Sequence, residues 1–191
     1  MRLSVVNAPA SEPVSLAEAK AQCRIMGADE DGLIAGYLMA ARAYTESITG
    51  RRLVTQTLDY YIDNLSAGEI LLPVAPVQSV TSITYFDDAG ATQTLGVGNY
   101  TTVGRKYWTA IVPTVSAVWP GVRNQPESVT VRFVAGHSAS NPMPEEIRQA
   151  ILMLVSHFYE NRESVVIGQA PAVLPFSYDH LLTNFRAHFL T

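Results

Sequence analysis

Few residues in this chain have a type and spacing that could carry chemistry. The four histidines, His137, His157, His180 and His188, form no H-E-x-x-H pair and no cysteine–histidine pair at metal-binding spacing. His157 and Glu160 stand three apart in a helical pattern, where they could form a ligand pair. The same spacing makes an ordinary surface or helix-contact pair, which is the better reading. Glu145 and Glu146 are adjacent carboxylates, but neighbouring helical positions do not face each other, and their place at a helix start suits the dipole instead. Gly96-Val97-Gly98 lacks the third glycine and the following helix of a dinucleotide loop. There is no G-x-S-x-G elbow and no phosphate-binding P-loop. Cys23 is the single cysteine, so no intrachain disulfide can form, and it has no histidine beside it to activate a thiolate. No catalytic, cofactor-binding or metal-ligating residue is predicted, and the chain reads as a non-enzyme.

Composition narrows the classes further. A content of 48% hydrophobic and 16% charged residues is that of a chain with a real core, which excludes wholesale disorder. The formal charge of −4 argues against a surface that coats nucleic acid. Arg51-Arg52 and Arg105-Lys106 are small basic spots that a solvated helix end and a solvated turn explain, with phosphate contact as the alternative. The first nine residues hold too short an apolar run for a signal peptide, and the apolar run Ala150 to Val155 is far too short for a membrane span. The expectation is a protein made in a cytoplasm, with no membrane partner.

The positioning elements are legible. Ser15-Leu16-Ala17-Glu18 reads as a capping box after Pro13, opening a short helix to about Cys23 or Arg24. The acidic cluster Asp29-Glu30-Asp31 sits at the positive end of a second helix. Its stripe is Ile34, Tyr37, Leu38, Ala41, Tyr44 and Ile48, and Gly50 is its stop. From Leu53 the period changes from 3.6 to 2, and strands are predicted over 53–63, 69–72, 79–86, 91–95, 100–103, 107–112 and 128–134. Short strands at this spacing suggest a small antiparallel sandwich or barrel. Pro144 then opens a strongly amphipathic helix to Arg162, with Ile147, Ala150, Ile151, Leu154, Val155 and Phe158 on one stripe.

The fold class expected is therefore α+β: a small bundle of two N-terminal helices and one long C-terminal helix, an inserted antiparallel β-region, and an extended tail. The segments are 1–52 (N-terminal helices), 53–136 (β-region), 137–164 (C-terminal helix on the N-terminal helices) and 165–191 (tail). The tail carries many apolar side chains but only Asp179 and Arg186 as formal charges. It is read as a docking arm with Phe176, Tyr178, Leu182 and Phe185 as anchors, which a truncation at Ser164 should remove without unfolding the rest. The other reading is a short amphipathic helix over 178–189 folded back on its own domain. Partner contact is also expected at the end of helix 144–162, at Tyr159, Glu160, Arg162 and Glu163, and if the tail is core it moves to the outer face there, at Glu160, Arg162 and Glu163.

These blocks resemble phage head–tail connector (adaptor) proteins of long-tailed phages and phage-derived particles. The resemblance is carried by Pro13 to Lys20, Ala40 to Glu46, Thr49-Gly50-Arg51, Leu53 to Thr57, Leu72-Pro73, Pro76 to Val80, Val129 to Gly136 and Pro144 to Glu163. The string Tyr159-Glu160-Asn161-Arg162-Glu163 is the most diagnostic. The stretch Gly168 to Pro175 follows the family only loosely. The resemblance implies a structural ring under the portal, twelve-fold in the family, that joins a DNA-filled head to the tail. The partners implied are further copies of itself, the portal protein and a tail-side connector or stopper, with DNA passing through the centre unread. It also implies residence at the head–tail junction of a virion or phage-like particle, after assembly in the bacterial host cytoplasm. The alternative is a β-sandwich binding module or hydrolase using Tyr107, Trp108 and Trp119 as an aromatic platform. A DNA-binding regulator fails on charge and on the lack of a helix-turn-helix.

Overall fold

The change of period at residue 53 separates two kinds of structure, and the chain divides the same way. The structure, a computed structural model, describes residues 1–65, 68–105, 108–162 and 176–186. One compact unit takes Met1–Ala10 and Gly50–His137, and a second takes Ser11–Thr49 and Ser138–Arg186. The architecture is α+β, with four α-helices and two antiparallel sheets among the described residues.

The second unit is helical. Helix α1 (Leu16–Cys23) starts at the predicted capping box: the Glu18 N–H donates to Ser15 Oγ at 3.2 Å, and the Ser15 N–H donates to the Glu18 carboxylate at 2.8 Å. Helix α2 (Asp31–Thr49) ends where Gly50 takes a left-handed φ of 65°. Helix α3 (Glu145–Glu160) begins one residue later than expected, with Pro144 as its N-cap rather than its first helical residue. Ile147, Ala150, Ile151, Leu154 and Val155 are all buried, as their spacing requires. A fourth helix, α4 (Phe176–Leu182), forms within the segment expected to be an extended arm.

The other unit is a β-sandwich. A five-stranded sheet has the order β1 (Arg2–Asn7), β2 (Gln56–Ile62), β8 (Val129–Ala135), β4 (Val77–Phe86), β5 (Thr92–Thr94). A three-stranded sheet has the order β3 (Ile70–Leu72), β7 (Thr109–Pro113), β6 (Tyr100–Gly104). Alternation decides which face is inside. Leu58, Tyr60 and Ile62 of β2 and Val129, Val131 and Phe133 of β8 point inward, meeting Ile70 and Leu72 of β3 and Ile111 of β7 in one apolar cluster. Each such large apolar side chain contributes roughly 1.5–3 kcal/mol by leaving water. At Gly136 (φ 120°) a side chain would strike the Val54 carbonyl, so only glycine lets the end of β8 approach the start of β2.

Strand β1 corrects the expected boundaries. The expected bounds place 1–52 with the N-terminal helices, but Arg2–Asn7 pairs with β2 in the register Leu3↔Tyr60 and Ser4↔Asp59. Its partner lies some fifty residues away in the chain, so no hairpin signal marks it.

Candidate assembly surfaces

The predicted contact residues fall into two groups with opposite surroundings. At the end of α3, Tyr159 and Arg162 converge on one carboxylate. The Tyr159 hydroxyl donates to Glu30 at 2.6 Å, and the Arg162 guanidinium donates to the other Glu30 oxygen at 2.7 Å. The same guanidinium lies 4.5 Å from the Tyr159 ring centroid. Those two hydrogen bonds hold the Glu30 carboxyl below its ordinary range, and the Glu30 carboxylate in turn raises the Tyr159 phenol. Glu160 is exposed beside them, while Glu163 lies outside the described residues. The diagnostic string thus caps α3 and ties it to the start of α2.

In the second group, two residues are buried. Tyr178 and Leu182 have no exposed surface, so both are core residues of their own unit rather than exposed anchors. Sequence alone could not choose, because an amphipathic helix looks the same whether its stripe meets its own chain or another. The Tyr178 ring lies 6.0 Å from that of Tyr44, and burial pushes its phenol up to about 12. Phe185 is half-buried, in the turn that follows α4. For Phe176 only the backbone, at the start of α4, is described. Asp179 and Arg186, the two tail charges, pair with each other at 2.7 Å.

Nothing among the described residues assembles a reactive centre. No group of three His, Cys, Asp or Glu side chains could hold a metal ion there. Cys23 is half-buried 3.9 Å from Ser156 Oγ, and burial raises its thiol, which is the reverse of an activated thiolate. His157 meets Asn161 rather than Glu160. Of the aromatic residues in the alternative reading, Trp119 is engaged by its own unit. Trp119 packs on the sandwich core and donates to the Gly68 carbonyl at 3.3 Å, and Tyr107 lies outside the described residues. Of the basic spots, Arg105 is paired with Glu69 at 3.3 Å.

Two features had no signal in the sequence. Asp59, nearly buried on β2, receives a two-pronged contact from Arg132 on β8, at 2.8 and 2.7 Å. The edges of the sandwich are also unequal. β3 and β5 have three residues each, whereas β1 has six and β6 five.

Comparison with known proteins supplies the family. A family model described as head completion protein matches residues 13–171. The fold is similar to that of a chain in the neck of an empty GTA particle computed with C6 symmetry. That match has a TM-score of 0.83 and 25% identity, over 100% of this chain and 98% of the other. It is similar to a chain of a native gene transfer agent (GTA) virion, with a TM-score of 0.82 and 26% identity over the same shares. A third match is to the neck of a native GTA particle computed with C12 symmetry, with a TM-score of 0.74 and 25% identity over the same shares. No curated protein matches the chain.

Proposed function

The chain belongs to the head completion protein family, and from that premise we propose that it is one subunit of a ring at the head–tail junction of a phage-like particle. It is a structural protein, not an enzyme, and acts by binding. The ring sits against the portal protein on the head side and a connector or stopper on the tail side. DNA passes through its centre without being read.

One observation carries this reading: the whole chain matches the fold of chains in GTA particle necks computed with C6 and C12 symmetry. The net charge of −4 agrees with it, because a channel lining that neutralised many phosphates would bind DNA and retard its passage. Partner contacts fall to the exposed end of α3, around Glu160 and Arg162, together with the α4 surface left outward by the burial of Tyr178 and Leu182.

Deletion of the gene in its producing strain, followed by electron microscopy of the particles, tests the proposal. Filled or leaking heads without tails are expected, restored by the protein supplied in trans. Intact tailed particles in the deletion strain would refute it.

A further inference from the structure

We propose that subunits of the ring join by strand addition, the open edge of β6 in one copy pairing with the open edge of β1 in the next. This rests on the ring reading above, and it names the surface and the partner.

The pairing of β6 with β7 fixes which main-chain groups remain unused. Arg105 N–H donates to the Trp108 carbonyl at 2.9 Å, and Thr114 N–H donates to the Asn99 carbonyl at 3.1 Å. Both are hydrogen-bonded pairs of an antiparallel ladder, in which such pairs alternate with non-bonded ones. Counting inward, Thr101↔Val112 and Val103↔Ala110 are bonded, while Tyr100↔Pro113, Thr102↔Ile111 and Gly104↔Thr109 are not. Pro113, which has no N–H, falls at a non-bonded position, as it must. The N–H and C=O groups of Tyr100, Thr102 and Gly104 therefore point away from β7, and no strand among the described residues takes them.

This edge lacks the usual protections. Tyr-Thr-Thr-Val-Gly contains no charge and no proline, and Thr101 to Gly104 are all exposed. Strand β1 is similar over Arg2 to Val5, ahead of the register shift between Val5 and Asn7. Its single charge, Arg2, is held by Glu127 at 2.8 Å and over the Tyr61 ring, and Val5 and Val6 are exposed. The other two edges, β3 and β5, are protected by having only three residues.

The two long edges lie on opposite sides of the sandwich. β3 sits over the β1–β2 side, where Met1, Tyr60 and Ile62 share a cavity of about 540 Å³ with Ile70 and Leu71. β6 follows β5 after the short turn Val97–Asn99 and so lies on the far side. Pairing β6 with β1 is then head-to-tail, the kind of contact that builds rings, whereas pairing β6 with itself would stop at a dimer. Main-chain pairing along the regular part of β1 also holds register without needing a large apolar patch.

Thr102→Pro is the direct test, because it removes an outward N–H while sparing the bonds to β7. Association is measured by sedimentation and by assembly on purified portal. The expected result is an unchanged melting temperature and self-association weakened by at least about tenfold. In a Cys23→Ser background, mixed copies carrying Ser4→Cys or Thr102→Cys should form the mixed disulfide on mild oxidation, and this readout holds even if the proline variant folds poorly. Wild-type assembly that Thr102→Pro leaves intact overturns strand addition but keeps the ring. Thr102→Cys copies that cross-link only to one another overturn the head-to-tail pairing. Wild-type protein that never self-associates, even on portal, removes the ring reading itself.

Discussion

The Tyr178 hydroxyl lies 3.0 Å from Thr45 Oγ1, with neither side chain exposed to solvent. Thr45 already donates to the Ala41 carbonyl at 2.7 Å, so Tyr178 is the donor in this pair. A helix close to the C-terminus is thereby anchored in the middle of α2. Tyr178→Phe should cost about 1 kcal/mol, the value of one buried hydrogen bond. Tyr178→Ala should cost about 3–5 kcal/mol, as aromatic truncations in cores do. A chain ending at Ser164 should lose stability rather than keep it. Urea unfolding of the three variants checks the order, and equal midpoints would mean α4 is detached in solution.

Leu154 is fully buried on α3. Leu154→Asp places an unpaired carboxylate there, at a cost of several kcal/mol. The expected outcome is loss of cooperative thermal unfolding and of soluble yield. A melting curve like that of the wild type would place this stripe at the surface.

Asp59 and Arg132 make an asymmetric pair, since the acid is nearly buried and the side chain of the base is 45% exposed. Arg132→Ala leaves a buried carboxylate without its ion and should lower the urea midpoint. The double change Asp59→Asn with Arg132→Ala should recover part of that loss. A double-mutant cycle reads the coupling, and a value near zero would show that the pair contributes nothing to the sheet.

The Glu30 cluster predicts an acid-side dependence. Its carboxyl titrates below its ordinary range because Tyr159 and Arg162 hydrogen-bond the charged form. Folding therefore gains from the ionised state above the unfolded value, and that gain disappears as pH falls through the depressed folded value. Between about pH 6 and about pH 3, the melting temperature of the wild type should fall more than that of Glu30→Gln. Parallel curves would show that Glu30 makes no net contribution.

How far the sequence could be read depended on whether a residue's partner was local. The capping box at Ser15, the stripe of α3 and the seven strands after residue 53 all declare themselves through neighbours a few positions away. Each is present within a few residues of its expected bounds. Strand β1 carries no such local sign because β2, which completes it, lies beyond two helices. On α2 the apolar pattern pointed to Tyr44, which is 38% exposed, while Thr45, Glu46 and Thr49 are buried instead. The threonines can be buried because their hydroxyls bond back to the carbonyls of Ala41 and Thr45, four residues earlier. No hydropathy pattern encodes that. The burial of Tyr178 and Leu182 was undecidable for a related reason, since composition reports that a stripe must be covered but not by what.

Strands β2 and β8 pair from Gln56↔Ala135 onward, and Thr55 donates to the His137 carbonyl, so the two ends of the segment 50–137 leave the sandwich side by side. In genetic terms that segment is close to an exchangeable cassette, since its ends need only the spacing of one strand pair. β1 is what keeps it from being one. An exchange that moved 50–137 alone would bring in a β2 whose outer edge no longer faced the first strand it was selected with. Recombination among relatives should therefore preserve pairs of breakpoints, with residues 1–10 and 50–137 inherited together although α1 and α2 are encoded between them.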